Sequence, residues 1–61
     1  MRDIILTAIQ KGKVVYAYGV RGVLWRKLGD LVGYTSFSVT IRQGRVYHVY
    51  DARGRKLKVL Q

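Results

Sequence analysis

Apolar and polar residues alternate most clearly between Phe37 and Leu60, FSVTIRQGRVYHVYDARGRKLKVL, which predicts three short strands joined by two tight turns. Ile41-Arg42-Gln43-Gly44-Arg45 has glycine third in the loop, which suits a type I turn closed by a left-handed Gly bulge. In Asp51-Ala52-Arg53-Gly54, Asp opens a type I turn and Gly takes its fourth position. With three-residue loops at both places, Ile41 pairs with Arg45, Val39 with Tyr47, Val49 with Leu57 and Tyr47 with Val59. One face then carries Phe37, Val39, Ile41, Tyr47, Val49, Leu57 and Val59, the expected core. The other carries Ser38, Thr40, Arg42, Val46, His48, Tyr50, Lys56, Lys58 and Leu60.

The first half reads less cleanly. Shifted by 32, residues 4–28 match residues 36–60 at seven of 25 positions, including Ile9 with Ile41, Gly12 with Gly44, Tyr18 with Tyr50 and Gly22 with Gly54. An internal repeat within a single domain, residues 1–61, is therefore expected. Under it, Asp3 to Lys11 is a strand turning at Gln10-Lys11-Gly12; the alternative is a helix capped by Asp3 and stopped by Gly12. Lys13 to Tyr18 is a strand with Val14, Tyr16 and Tyr18 on one side and Val15 and Ala17 on the other. Val20-Arg21-Gly22 turns it into Val23 to Leu28, where Gly29 and Asp30 count against a helix running on to Val32. Gly29 to Ser36 is an ordered connector with a short strand at Leu31-Val32. The expected fold is all-β: a small SH3-like or Sm-like barrel, closed or half-open, built from two three-stranded meanders.

The strand pair around Gly44-Arg45-Val46-Tyr47 and Tyr50-Asp51 loosely resembles that of WYL domains, an Sm-like module. The Trp-Tyr-Leu core of that motif reads Val46-Tyr47-His48 here, and the strand and helix that usually follow have no counterpart. The resemblance spans less than half of the chain and assigns no family.

Composition narrows the function. A chain of 61 residues lies near the lower limit for independent folding, and no Cys is present to staple it. An apolar content of 49% in so small a domain, with apolar groups on both sides of its first half, points to burial against another subunit, so a homodimer or higher homo-oligomer is expected. No apolar run is long enough for a membrane span and the start does not read as a signal peptide, which places the chain in the cytoplasm. The lone His48 and three scattered Asp residues offer no metal set, no cofactor motif and no nucleophile–base pair, so an enzyme is not expected.

Charge is the loudest signal. Twelve Lys and Arg face three acids, for a net charge of +9, and point to an anionic partner. The polar face of the second meander gathers Arg42, His48, Tyr50, Lys56 and Lys58, with Arg45, Arg53 and Arg55 at its rim. Cations supply phosphate contacts and a ring on a sheet supplies a stacking plane, so this face is the expected site for single-stranded RNA or DNA. The competing expectation is a protein-interaction module, a small inhibitor or assembly subunit, acting through an exposed strand edge or apolar face.

Overall fold

The computed structural model describes residues 4–61, which form an all-β structure without helix. Seven strands succeed one another: β1 (Thr7–Lys11), β2 (Val14–Gly19), β3 (Gly22–Leu28), β4 (Asp30–Tyr34), β5 (Ser38–Gln43), β6 (Val46–Asp51) and β7 (Lys56–Leu60). They make two antiparallel sheets, β1-β2-β3 and β4-β5-β6-β7. Neither sheet closes on itself, so the expected barrel does not appear as a continuous wall. The Asp3–Lys11 segment takes its strand alternative over Thr7–Lys11; Asp3, the cap of the helical alternative, lies outside the described residues. The connector is more regular than expected, because all of Asp30–Tyr34 is a strand.

Both halves open with a two-residue hairpin. Lys11 pairs with Val14, and Gln43 with Val46. The first loop residue is Gly12 (φ 61°) or Gly44 (φ 65°), and no non-glycine residue among those described has positive φ, so both turns are type II′. Glycine is thus the first residue of the loop and not the third. Val39 consequently faces Tyr50, three positions beyond the expected Tyr47. Because side chains alternate with period two, an odd shift turns β6 over. His48 and Tyr50 move to the inner face opposite Ile41 and Val39, while Tyr47 and Val49 turn outward.

The turn after β6 follows its sequence chemistry. Gly54 N donates to Asp51 O at 3.0 Å, Asp51 N donates to Arg55 O at 2.9 Å, and Gly54 has φ 84°. The Asp51 carboxylate also accepts Arg53 N at 2.8 Å and Arg55 N at 2.9 Å. Tyr50 therefore pairs with Lys56, but a bulge then skips Leu57, so Val49 meets Lys58 and His48 meets Val59. Phe37, Leu57 and Val59 are exposed, correcting the expected core.

The core that forms lies between the sheets. Ile5, Ala8, Val15 and Ala17 meet Val39, Ile41, Tyr50 and Ala52, with Leu24, Trp25 and Leu31 packed around them. β1 and β2 turn small side chains inward, which leaves room for Trp25 of β3 and Tyr50 of β6 in a thin interlayer. The chain crosses between the sheets at Gly29, the single residue separating β3 from β4, with φ 138°. A Cβ there would collide with Ile41 Cγ2 and lie 3.0 Å from the Arg42 carbonyl oxygen, so only glycine fits this corner.

Side chains complete the seams. The Gln10 amide donates to Gly12 O, Gly29 O and Asp30 Oδ1 at 3.1, 3.3 and 3.1 Å, and its oxygen accepts Leu31 N at 3.0 Å. Two N–H groups serve three acceptors, so at least one bond is shared. Gln10 thereby links β1 to the start of β4 where no backbone ladder runs. Gln43 Nε2 donates to Leu28 O at 2.7 Å, and Trp25 Nε1 to Asp51 O at 3.0 Å.

Candidate nucleic-acid interface

The face expected to bind nucleic acid is divided by the register of β6. Tyr50 is buried, with its ring 5.6 Å from Trp25 and the Lys27 ammonium 4.6 Å above it. No base can stack on such a ring. His48 is half-buried on the same inner face, 6.1 Å from Tyr50 and tilted 22° to it. Its Nδ1 is buried without a hydrogen-bond partner among the described residues. Arg42 and Lys58 lie on the outer face of the second sheet, opposite Tyr47 and Val49 respectively. Arg42 Nη2 is 3.3 Å from Asp30 Oδ2, so one of the expected phosphate ligands already faces a carboxylate. Arg45, Arg53 and Arg55 are exposed in turns, and Lys56 is exposed at the start of β7. His48 and Tyr50 therefore do not share a face with Arg42 and Lys58, although all six cations remain open to solvent.

Electrostatics around the two described acids is local. The Asp30 carboxyl is held below its ordinary range first by the Gln10 amide and then by Arg42. Asp51 is held down first by the Arg55 backbone N–H, with Arg53 N–H adding to it. Both carboxylates act as clamps on the chain, and no cluster of metal-binding type exists among the described residues. Among the described residues, no helix is long and apolar enough to cross a membrane.

A second aromatic and cationic surface does assemble, on the outer face of the first sheet. β1 contributes Thr7, Ile9 and Lys11; β2 contributes Val14, Tyr16 and Tyr18; β3 contributes Val23, Arg26 and Leu28. Tyr16 sits in the middle of the face, directly between Ile9 and Arg26 in the ladders. Its ring lies 6.4 Å from Tyr18 with 22° between planes, and the Lys11 ammonium is 5.3 Å from its centroid. Thr7 Oγ1 is within 3.3 Å of the Tyr34 hydroxyl, which brings a third phenol to the edge. These nine strand positions include no acid.

Beside Tyr16 runs a shallow depression of about 200 Å³, lined by Val14, Tyr16, Arg26, Lys27 and Leu28. It is smaller and more open than an ordinary small-molecule pocket, and suits a base or ring lying flat on the sheet. Sequence alternation separates Val14, Tyr16 and Tyr18 from Val15 and Ala17, but it does not say which set faces inward. The legible signal was size: Ala8, Val15, Ala17 and Gly19 make one side of β1 and β2 small enough for close packing of two sheets.

No protein-family model matches the chain, and no curated protein or solved structure matches it either.

Proposed function

We propose that this chain is a small basic module that binds single-stranded nucleic acid on the outer face of its first sheet. One observation carries the reading: Tyr16 and Tyr18, parallel on the solvent side of β2, are flanked by Lys11 and Arg26 with no acid among the strand positions of that face. Stacking on a ring is tolerant of base identity, and neighbouring cations neutralise the phosphates between stacked bases. The net charge of +9 adds a long-range attraction, to which Arg45, Arg53, Arg55, Lys56 and Lys58 contribute from other faces. The Gln10 bridge between β1 and β4 supports reading the two sheets as one interrupted wall of an SH3-like or Sm-like half-barrel. A cytoplasmic location accords with such a partner.

The test is a titration of isotope-labelled protein with mixed RNA and DNA oligonucleotides at low salt. Resonances of Lys11, Tyr16, Tyr18 and Arg26 should move while those of Val39 and Ile41 stay in place. Tyr16→Ala should weaken binding by ~1–3 kcal/mol with little change in salt dependence. Neutralising Lys11 and Arg26 together should flatten the log–log salt slope by about 0.7 for each phosphate that is no longer neutralised. If millimolar oligonucleotide moves no resonance of this face, the proposal fails.

A further inference from the structure

Among the seven strands, β7 alone has every residue exposed. It is the terminal strand of the second sheet, and among the described residues it is hydrogen-bonded to β6 alone. One edge of its backbone therefore presents N–H and C=O groups to solvent, the template on which a further strand adds. The side chains beside that edge are of two kinds. Leu57, Val59 and Leu60 are each exposed, at 57%, 44% and 50%. Lys56 and Lys58 alternate with them, and Arg53 and Arg55 lead into the strand from the turn. No acid lies between Ala52 and Gln61.

Such an edge discriminates between occupants. Antiparallel pairing of β7 with the β7 of a second copy would set lysines against lysines. Nucleic acid could meet the cations, but it has no main-chain ladder to offer and no use for Leu57, Val59 and Leu60. The bulge at Leu57 puts Lys56 and Val59 on the inner face with Tyr50 and His48, and Lys58 and Leu60 on the outer face with Val49 and Tyr47. An extended polypeptide with paired acids and paired apolar residues satisfies all three features: backbone groups pair with the free edge, one acid on each face lies against Lys56 or Lys58, and one apolar residue on each face covers Val59 or Leu60. We infer that β7 is a docking edge for an extended acidic segment of a partner protein, which adds to the second sheet as a fifth strand. This surface is separate from the tyrosine face of the first sheet, so the two can be occupied independently.

The experiment uses a seven-residue Glu–Val peptide with the residues in pairs, Val-Val-Glu-Glu-Val-Val-Glu, which carries both kinds of side chain on each face, together with its Lys–Val counterpart and the Glu–Val peptide N-methylated at alternate residues. With labelled protein, the Glu–Val peptide should shift the backbone amides of Lys56 to Leu60 and slow their exchange. The Lys–Val and N-methylated peptides should do neither. Lys56→Glu combined with Lys58→Glu should weaken the Glu–Val peptide about tenfold and admit the Lys–Val peptide. Both lysines are exposed, so the double variant should keep the wild-type spectrum elsewhere. The inference is overturned if the Glu–Val peptide leaves β7 unmoved, if the N-methylated peptide binds equally well, or if β7 amides are protected by self-association alone. It is also overturned if oligonucleotide, and not peptide, occupies β7; shifts confined to Tyr16 and Tyr18 would then report on the nucleic-acid reading separately.

Discussion

Asp51 shows how much one side chain organises. Its carboxylate holds two backbone N–H groups, its carbonyl accepts Gly54 N and Trp25 Nε1, and its own N–H reaches Arg55 O. Hydrogen bonds to the ionised form lower the pKa of Asp51, as they do for Asp30, from an ordinary 3.8. A carboxylate depressed in the folded state contributes stability that is fully present above 3.8 and disappears as pH falls through the lowered folded values. Acid unfolding followed by circular dichroism should therefore steepen below that point. Asp51→Asn, which keeps an acceptor oxygen but cannot ionise, should flatten this limb; an unchanged acid limb would mean that Asp51 contributes nothing to it. Trp25→Phe tests the other side of the same residue. It leaves the Asp51 carbonyl short of one donor, and should cost about 1–3 kcal/mol in urea unfolding.

Among the elements, glycine positions decide what each hairpin does. Gly12 and Gly44 sit at the first loop position of type II′ turns with positive φ, so alanine at either should cost about 1–3 kcal/mol. Gly29→Ala should be worse, because strain at φ 138° is joined by collision with Ile41 at the crossing between sheets. Gly33→Ala is the control: its φ is not positive and a Cβ there meets nothing within 4 Å, so no more than a small change is expected. Equal urea midpoints for all four variants would refute this assignment of turns. Register also tests the expected repeat. The β5–β6 pairing is the β1–β2 pairing displaced by 32 residues, since Lys11↔Val14 becomes Gln43↔Val46. Yet the matched faces point opposite ways. Tyr16 and Tyr18 face solvent, whereas their counterparts His48 and Tyr50 face the core. Relative to its match, one hairpin is turned inside out, and the outward aromatic pair is the surface proposed to bind bases.

For the molecule as a unit, charge is the dominant stress. Arg42–Asp30 is the only ion pair among the described residues, and both partners are half exposed, so it offsets little of the +9 self-repulsion. Salt should screen that repulsion over a distance of about 10 Å at 0.1 M. The midpoint of thermal unfolding is therefore expected to rise between low and moderate ionic strength, and a fall would mean that attractive pairs prevail. The same screening governs self-association. Ile9, Val23 and Leu28 leave apolar area exposed on the outer face of the first sheet, and a homodimer through that face is proposed. Sedimentation at high salt should show twice the 7.0 kDa chain mass, and single-stranded oligonucleotide should compete for the same surface. A 7.0 kDa species at high micromolar concentration in high salt would remove the dimer.

Alternation, glycine spacing and the Asp51 turn are local signals, each acting within a few residues. From them alone the chain reads as all-β, with most of its strands in place and the β6–β7 turn closed as observed. They also separate Val14, Tyr16 and Tyr18 from Val15 and Ala17, which is half of the candidate site. Which half faces water depends instead on what fits between two sheets: Ala8, Val15 and Ala17 pack against Val39 and Ile41, and a second layer of tyrosines does not. Moving one glycine from third to first position in a loop had the same reach, because an odd shift in register exchanges every inward and outward side chain of a strand. Tyr50 thus left the expected binding face for the core, and Tyr16 took the solvent, through pairings between strands that no local pattern records.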